Sequence, residues 1–175
     1  MTLSVVYVAQ TGHVVGARGV TGEDAATDLA SLIGTELTLR KSLETGDLAA
    51  VSLRPGQLAA GSVDDEPRVF AGPLTFGADV EGGVLKPALL ELSPWHDGLA
   101  LKETTFEVSV PVAVGPATPV VVLLAGDAGT TLLTGEIPAQ GKTVAFQVDL
   151  KKDDVHAVLV LVAGQTGRFE ALKVS

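Results

Sequence analysis

Val155-His-Ala-Val-Leu-Val-Leu-Val-Ala163 is apolar at nearly every position. A strand with one wet face alternates, whereas Ala157–Ala163 within this run is apolar on both faces, as a central strand covered on both sides would be. It is far too short to cross a bilayer as a helix, which takes ~20 apolar residues. Val120–Ala125 (VVVLLA) reads the same way.

Around these two runs the pattern changes. Phe106, Val108, Val110, Val112 and Val114 fall on every second residue, and so do Val144, Phe146, Val148 and Leu150. Alternate side chains of a strand point to opposite faces, so each is a half-buried strand. Pro111 has no N–H for a ladder, which places its strand at an edge or a bulge. Turn chemistry separates the runs at Gly126–Gly129, Pro138–Gly141, Lys151–Asp154 and Gln165–Gly167. Glycine supplies positive φ, proline presets φ, and aspartate bonds its own backbone. Strands spaced roughly 8–12 residues apart with such turns predict an immunoglobulin-like β-sandwich over residues 100–175. The chain has no cysteine, so a core of Val and Leu must hold that sandwich without a disulfide.

Residues 1–99 read as a β-rich region with one short helix. Leu3–Ala9 and His13–Ala17 form a hairpin around Gln10–Thr11–Gly12. A helix is expected over about 22–33: Thr21 is its N-cap, Ala25, Leu29, Leu32 and Ile33 share one face, and Gly34 stops it. Strands follow at Thr35–Lys41 and around Ala49, Val51 and Leu53, with further candidates at Val69–Phe76 and Val84–Leu92. Ser93–Gly98 (SPWHDG) is a turn-forming cluster, and the domain boundary is placed there, near residue 100.

Composition excludes several functions. With no cysteine there is neither a thiolate nucleophile nor a thiolate metal site. Net charge is −9, and the few Lys and Arg are scattered, so the chain repels phosphate backbones and nucleic acid is not an expected partner. No basic segment followed by an apolar one opens the chain, and membrane insertion is not expected; the reading is cytoplasmic. Mean hydropathy is +0.39 although aromatics make up only 4%, so small aliphatic residues supply the hydrophobicity. High apolar content in a small domain points to surface covered by a partner.

The search for chemistry finds no catalytic constellation. Gly141-Lys142-Thr143 resembles the end of a phosphate loop, but the required first glycine falls at Glu136, and an alternating strand follows rather than a helix. His13, His96 and His156 are too far apart for a local metal pair. Asp64–Asp65–Glu66 reads as a solvated turn before Pro67. No metal or other cofactor is expected. The one loop with side chains suited to recognition is Trp95-His96-Asp97, where Trp95 either packs at the domain junction or anchors a partner.

The expectation is a non-enzymatic structural or adaptor subunit of a larger intracellular assembly, such as a shell, a tail-like or baseplate-like particle, or a scaffold. Its partners would be other protein subunits, copies of itself among them. The alternative is a small-ligand or glycan-binding sandwich using Trp95, His96 and Asp97. An enzyme would need residues that converge only in space, with His96 or Asp97 among them.

Overall fold

Antiparallel strand pairing dominates the computed structural model, which describes residues 2–21 and 27–175. The strands are β1 (Thr2–Val8), β2 (Val14–Val20), β3 (Leu37–Ser42), β4 (Leu48–Leu53), β5 (Leu58–Asp64), β6 (Phe76–Glu81) and β7 (Val84–Glu91). They continue with β8 (Leu99–Leu101), β9 (Thr105–Ser109), β10 (Thr118–Gly126), β11 (Gly129–Ile137), β12 (Thr143–Gln147), β13 (Val155–Val162) and β14 (Arg168–Lys173). One helix, α1 (Leu29–Ile33), lies among the described residues. The protein is mainly β, with its strands in several antiparallel sheets.

The described chain forms two compact units that interleave in sequence. The first holds Met1–Leu37, Leu53–Pro94 and Ala163–Gly167; the second holds Thr38–Ser52, Trp95–Val162 and Arg168–Ser175. In the first unit β1 is the middle strand of a β2-β1-β5 sheet. Leu3, Val5 and Tyr7 lie on one face of β1 and pack with Val14, Val63, Val69 and Phe76. The hairpin β6–β7 adds Ala78, Leu85 and Leu89 to that cluster.

The second unit contains a three-stranded sheet, β12-β9-β8, and a four-stranded sheet, β11-β10-β13-β14. One core joins them: Phe106 and Val108 of β9 and Phe146 of β12 meet Val120, Val122 and Leu124 of β10 and Val158, Val160 and Val162 of β13. The intervening residues Val121, Leu123, Leu159 and Leu161 are buried as well. Both-face apolarity therefore marks the two inner strands of the sheet, as the sequence implies. Each such side chain contributes ~1.5–3 kcal/mol on burial, so these two strands carry most of the unit's hydrophobic stabilisation.

Several elements differ from expectation. Residues 22–26 of the expected helix lie outside the described residues. The described helix starts after Asp28, not Thr21. Asp28 Oδ2 accepts from Ser31 N at 3.0 Å and from Ser31 Oγ at 2.6 Å, which caps the helix and holds the carboxyl below its usual range. Gly34 ends it, as expected, at φ 69°. Val69–Phe76 is not a strand: Pro67 and Pro73 each begin a short 3-10 turn, because proline presets φ and offers no ladder donor. β5 and β11 are strands the alternation rule passed over. Finally, the strand beginning near Phe106 stops at Ser109, before Pro111, and sits in the middle of its sheet rather than at an edge. Past that point the chain pairs only irregularly, Val110 N donating to Lys142 O and Val114 N to Gly141 O, and Val112 points into solvent.

Candidate functional site

The loop Trp95-His96-Asp97 is brought against β14. Trp95 is only 4% exposed and belongs to the core of the second unit. The Arg168 guanidinium lies 4.4 Å from the centre of its ring, a cation–π stack on a desolvated face. Arg168 is held there from two sides. Nε and Nη2 donate to the Glu170 carboxylate at 2.8–3.1 Å, and Nη1 donates to the Asp97 carbonyl at 3.1 Å. Gly98 closes the loop at φ +96°, a conformation L side chains avoid, and a Cβ there would collide with Ser109 O. Trp95 is thus a packed residue clamped by β14, while His96 and Asp97 are exposed beside it. The loop's chemistry is that of a rivet.

The other histidines also serve packing. His13 is fully buried in the first unit. Its Nε2 donates to Gln165 O at 2.7 Å, and Nδ1 accepts from the Thr11 hydroxyl at 2.9 Å. Burial pushes its pKa down to about 4, only partly opposed by the bond to Gln165, so the ring is neutral near pH 7. His156 donates from Nδ1 to Ala125 O at 2.9 Å, leaving an enclosed Nε2 with no hydrogen-bond partner. Asp64–Asp65–Glu66 ends in a surface ion pair, in which the Glu66 carboxylate caps the turn at Arg68 N and accepts from the Arg68 guanidinium. Lys142 and Thr143 leave a turn closed by Gly141 N donating to Pro138 O at 2.8 Å and enter β12. Among the described residues no group of three or more His, Asp or Glu is assembled to hold a metal ion.

What stands out is an edge. β11 is the outermost strand of the four-stranded sheet, and it pairs with β10 along nine residues, from Gly126↔Gly129 to Thr118↔Ile137, without a register shift. Beyond β10 no described backbone–backbone bond reaches it; near its N-terminal end the Thr130 hydroxyl accepts from Ser52 N of β4 at 2.9 Å. Its sequence, GTTLLTGEI, contains no Lys, Arg or Pro and one charge, Glu136. Thr131, Leu132, Thr134, Gly135 and Glu136 are all exposed, Leu132 at 41%. Natural sheets guard such edges with cations, prolines, bulges or brevity.

Most of the other edges among the described strands are guarded in those ways. β14 carries Arg168, Glu170 and Lys173. β7 contains Pro87, and its Lys86 is bonded to both Asp79 and Glu81 of β6, itself shifted in register between Ala78 and Val80. β2 has Arg18 and a register shift against β1, β3 has Arg40 and Lys41, and β8 and β12 are three and five residues long. β4 and β5 lack a cation or proline but span six and seven residues. Among the described edge strands β11 is the longest that is both regular and nearly neutral.

A groove of about 340 Å³ runs beside this edge, lined by Leu124, Thr131, Leu133, Val148 and Leu150 together with the polar Gln147 and Asp149. Its apolar walls belong to the inner faces of β10 and β11 and to the chain following β12. The sequence carried a signal for this strand: three threonines and two leucines between Gly126–Gly129 and Pro138–Gly141. No family model, curated protein or solved structure matches the chain.

Proposed function

We propose that this protein is a non-enzymatic structural or adaptor subunit of a larger intracellular assembly. It acts through strand-edge contacts with other protein subunits, copies of itself among them. The observation that carries the reading is the open, unguarded nine-residue edge of β11. A bare edge of this length templates pairing with another chain, so it persists in a functional protein when a partner covers it. The buried, clamped Trp95 favours a packing role over a ring platform for sugars.

The seven strands β8–β14 are read as an immunoglobulin-like sandwich. What supports this is strand order: the first, second and fifth form one sheet, and the third, fourth, sixth and seventh form the other. Relative to the constant-domain arrangement, the fourth strand has moved across to pair with the third. That move gives the four-stranded sheet its free edge.

The test is the size of the tagged chain in extract of its source cells, by velocity sedimentation. Migration in a particle several times heavier than 17.8 kDa supports a subunit role. Migration at 17.8 kDa throughout contradicts it.

A further inference from the structure

We infer that β11 is the interface strand of a twofold-symmetric homodimer, in which two copies of Gly129–Ile137 pair antiparallel and join two four-stranded sheets into one of eight. The inference rests on the subunit reading above and names its partner.

Charge and symmetry select a second copy. At net −9 two copies repel each other over most of their surfaces, so a self-contact needs a nearly neutral seam. β11 is such a seam, and its one charge lies near its C-terminal end. A twofold axis perpendicular to the sheet pairs residues whose numbers have a constant even sum. Centred on Leu133, it sets Glu136 opposite Thr130 of the partner subunit and Leu132 opposite the partner subunit's Thr134. Centred on Leu132, it sets the two Leu132 side chains opposite each other and Thr130 opposite the partner subunit's Thr134. In neither register do like charges meet, which is the arrangement cross-strand pairing requires.

The faces also match. Val120, Val122 and Leu124 point into the core, so their register partners Gly135, Leu133 and Thr131 share that face. An even-sum register keeps odd residues beside odd ones. The partner's inner-face leucine or threonine then lies next to the apolar wall of the groove, Leu124, Leu133, Val148 and Leu150, whose remaining lining is Thr131, Gln147 and Asp149. Apolar burial there adds to the backbone ladder.

The experiment is light scattering after size exclusion on the purified full chain, from about 1 to about 100 μM. The wild-type mass is expected to rise to twice 17.8 kDa. Leu132→Lys places two cations at or beside the axis and should raise the dissociation constant at least about tenfold. Thr134→Lys, a second exposed position on β11, should do the same if Leu132→Lys does not fold, with circular dichroism checking the fold of each. Ala171→Lys, exposed on β14, should leave the constant unchanged. A wild-type monomer at about 100 μM, or a dimer indifferent to both β11 variants, overturns the inference. If the chain nonetheless sediments as a large particle in extract, the self-pairing fails and the subunit reading stands; if it is a monomer in extract too, both fail.

Discussion

β14 carries Arg168, Glu170 and Lys173 within six residues, whereas β11, at the other edge of the same sheet, carries Glu136 alone within nine. Both strands are fixed by long antiparallel ladders to buried neighbours, so their stability inside the sheet has the same source. They differ in what their outer sides meet. Charge and a clamped loop occupy β14: Arg168 spans the Glu170 carboxylate, the Trp95 ring and the Asp97 carbonyl. β11 offers threonines, leucines and glycines with a groove beside them. On the reading proposed above, one edge of this sheet ends it and the other extends it, and a few side chains decide which is which.

The contrast breaks most severely at Trp95. Trp95→Ala removes a core ring and the platform under Arg168, and should destabilise the second unit by about 3–5 kcal/mol. Urea unfolding followed by circular dichroism reads this, and a loss below ~1 kcal/mol would remove Trp95 as the anchor of the closed edge.

Acid tests the chain just before β14 rather than β14 itself. His13 holds the Gln165 carbonyl, and its pKa falls from 6.5 unfolded to about 4 folded. A depressed folded pKa means the unfolded chain binds the proton more readily. The contribution is complete above pH 6.5 and lost as pH falls towards 4. The loss amounts to about 3 kcal/mol at the acid end. Unfolding free energy measured across that window should decline, and His13→Gln should flatten the decline; an unchanged slope in the variant would show that other groups cause it.

A milder probe is Arg168→Lys, which keeps the charge but loses the fork on Glu170 and the flat stack on Trp95. With Arg168 only 10% exposed but Glu170 39% exposed, a cost of about 1–2 kcal/mol is expected. A neutral result would mean that charge alone closes the edge. Smallest are the effects of Leu132→Lys and Thr134→Lys on the stability of the single chain. They should stay within about 0.5 kcal/mol in urea at a dilution where the protein is monomeric, because neither side chain is buried. A large loss would show that β11 is needed for the fold itself, and that its neutrality reflects packing.

The fold was legible where burial leaves a periodic trace. β10 and β13 are apolar on both faces because both faces are buried, and β9 and β12 alternate because one face is wet. The same logic hid β11 and β5. An edge strand exposed on most positions has no inner–outer contrast, and LAAGSVD uses residues too small to mark a face. Val69–Phe76 misleads for a different reason, since its apolar residues fall in 3-10 turns that Pro67 and Pro73 start. Of the loop Trp95-His96-Asp97, the sequence shows a Trp in a turn. It does not show an arginine 73 positions from that Trp folding over the ring, because that contact is long-range. The free edge depends on strand order, which no local pattern encodes.

Amide hydrogen exchange, measured on the purified protein at low and at high concentration, tests the difference between the two edges most directly. The account predicts that exchange within Gly129–Ile137 slows at high concentration, as the outward amides of β11 enter a second ladder, while Arg168–Lys173 exchanges at the same rate in both. Equal rates for β11 at the two concentrations, or slowing confined to β14, would contradict it.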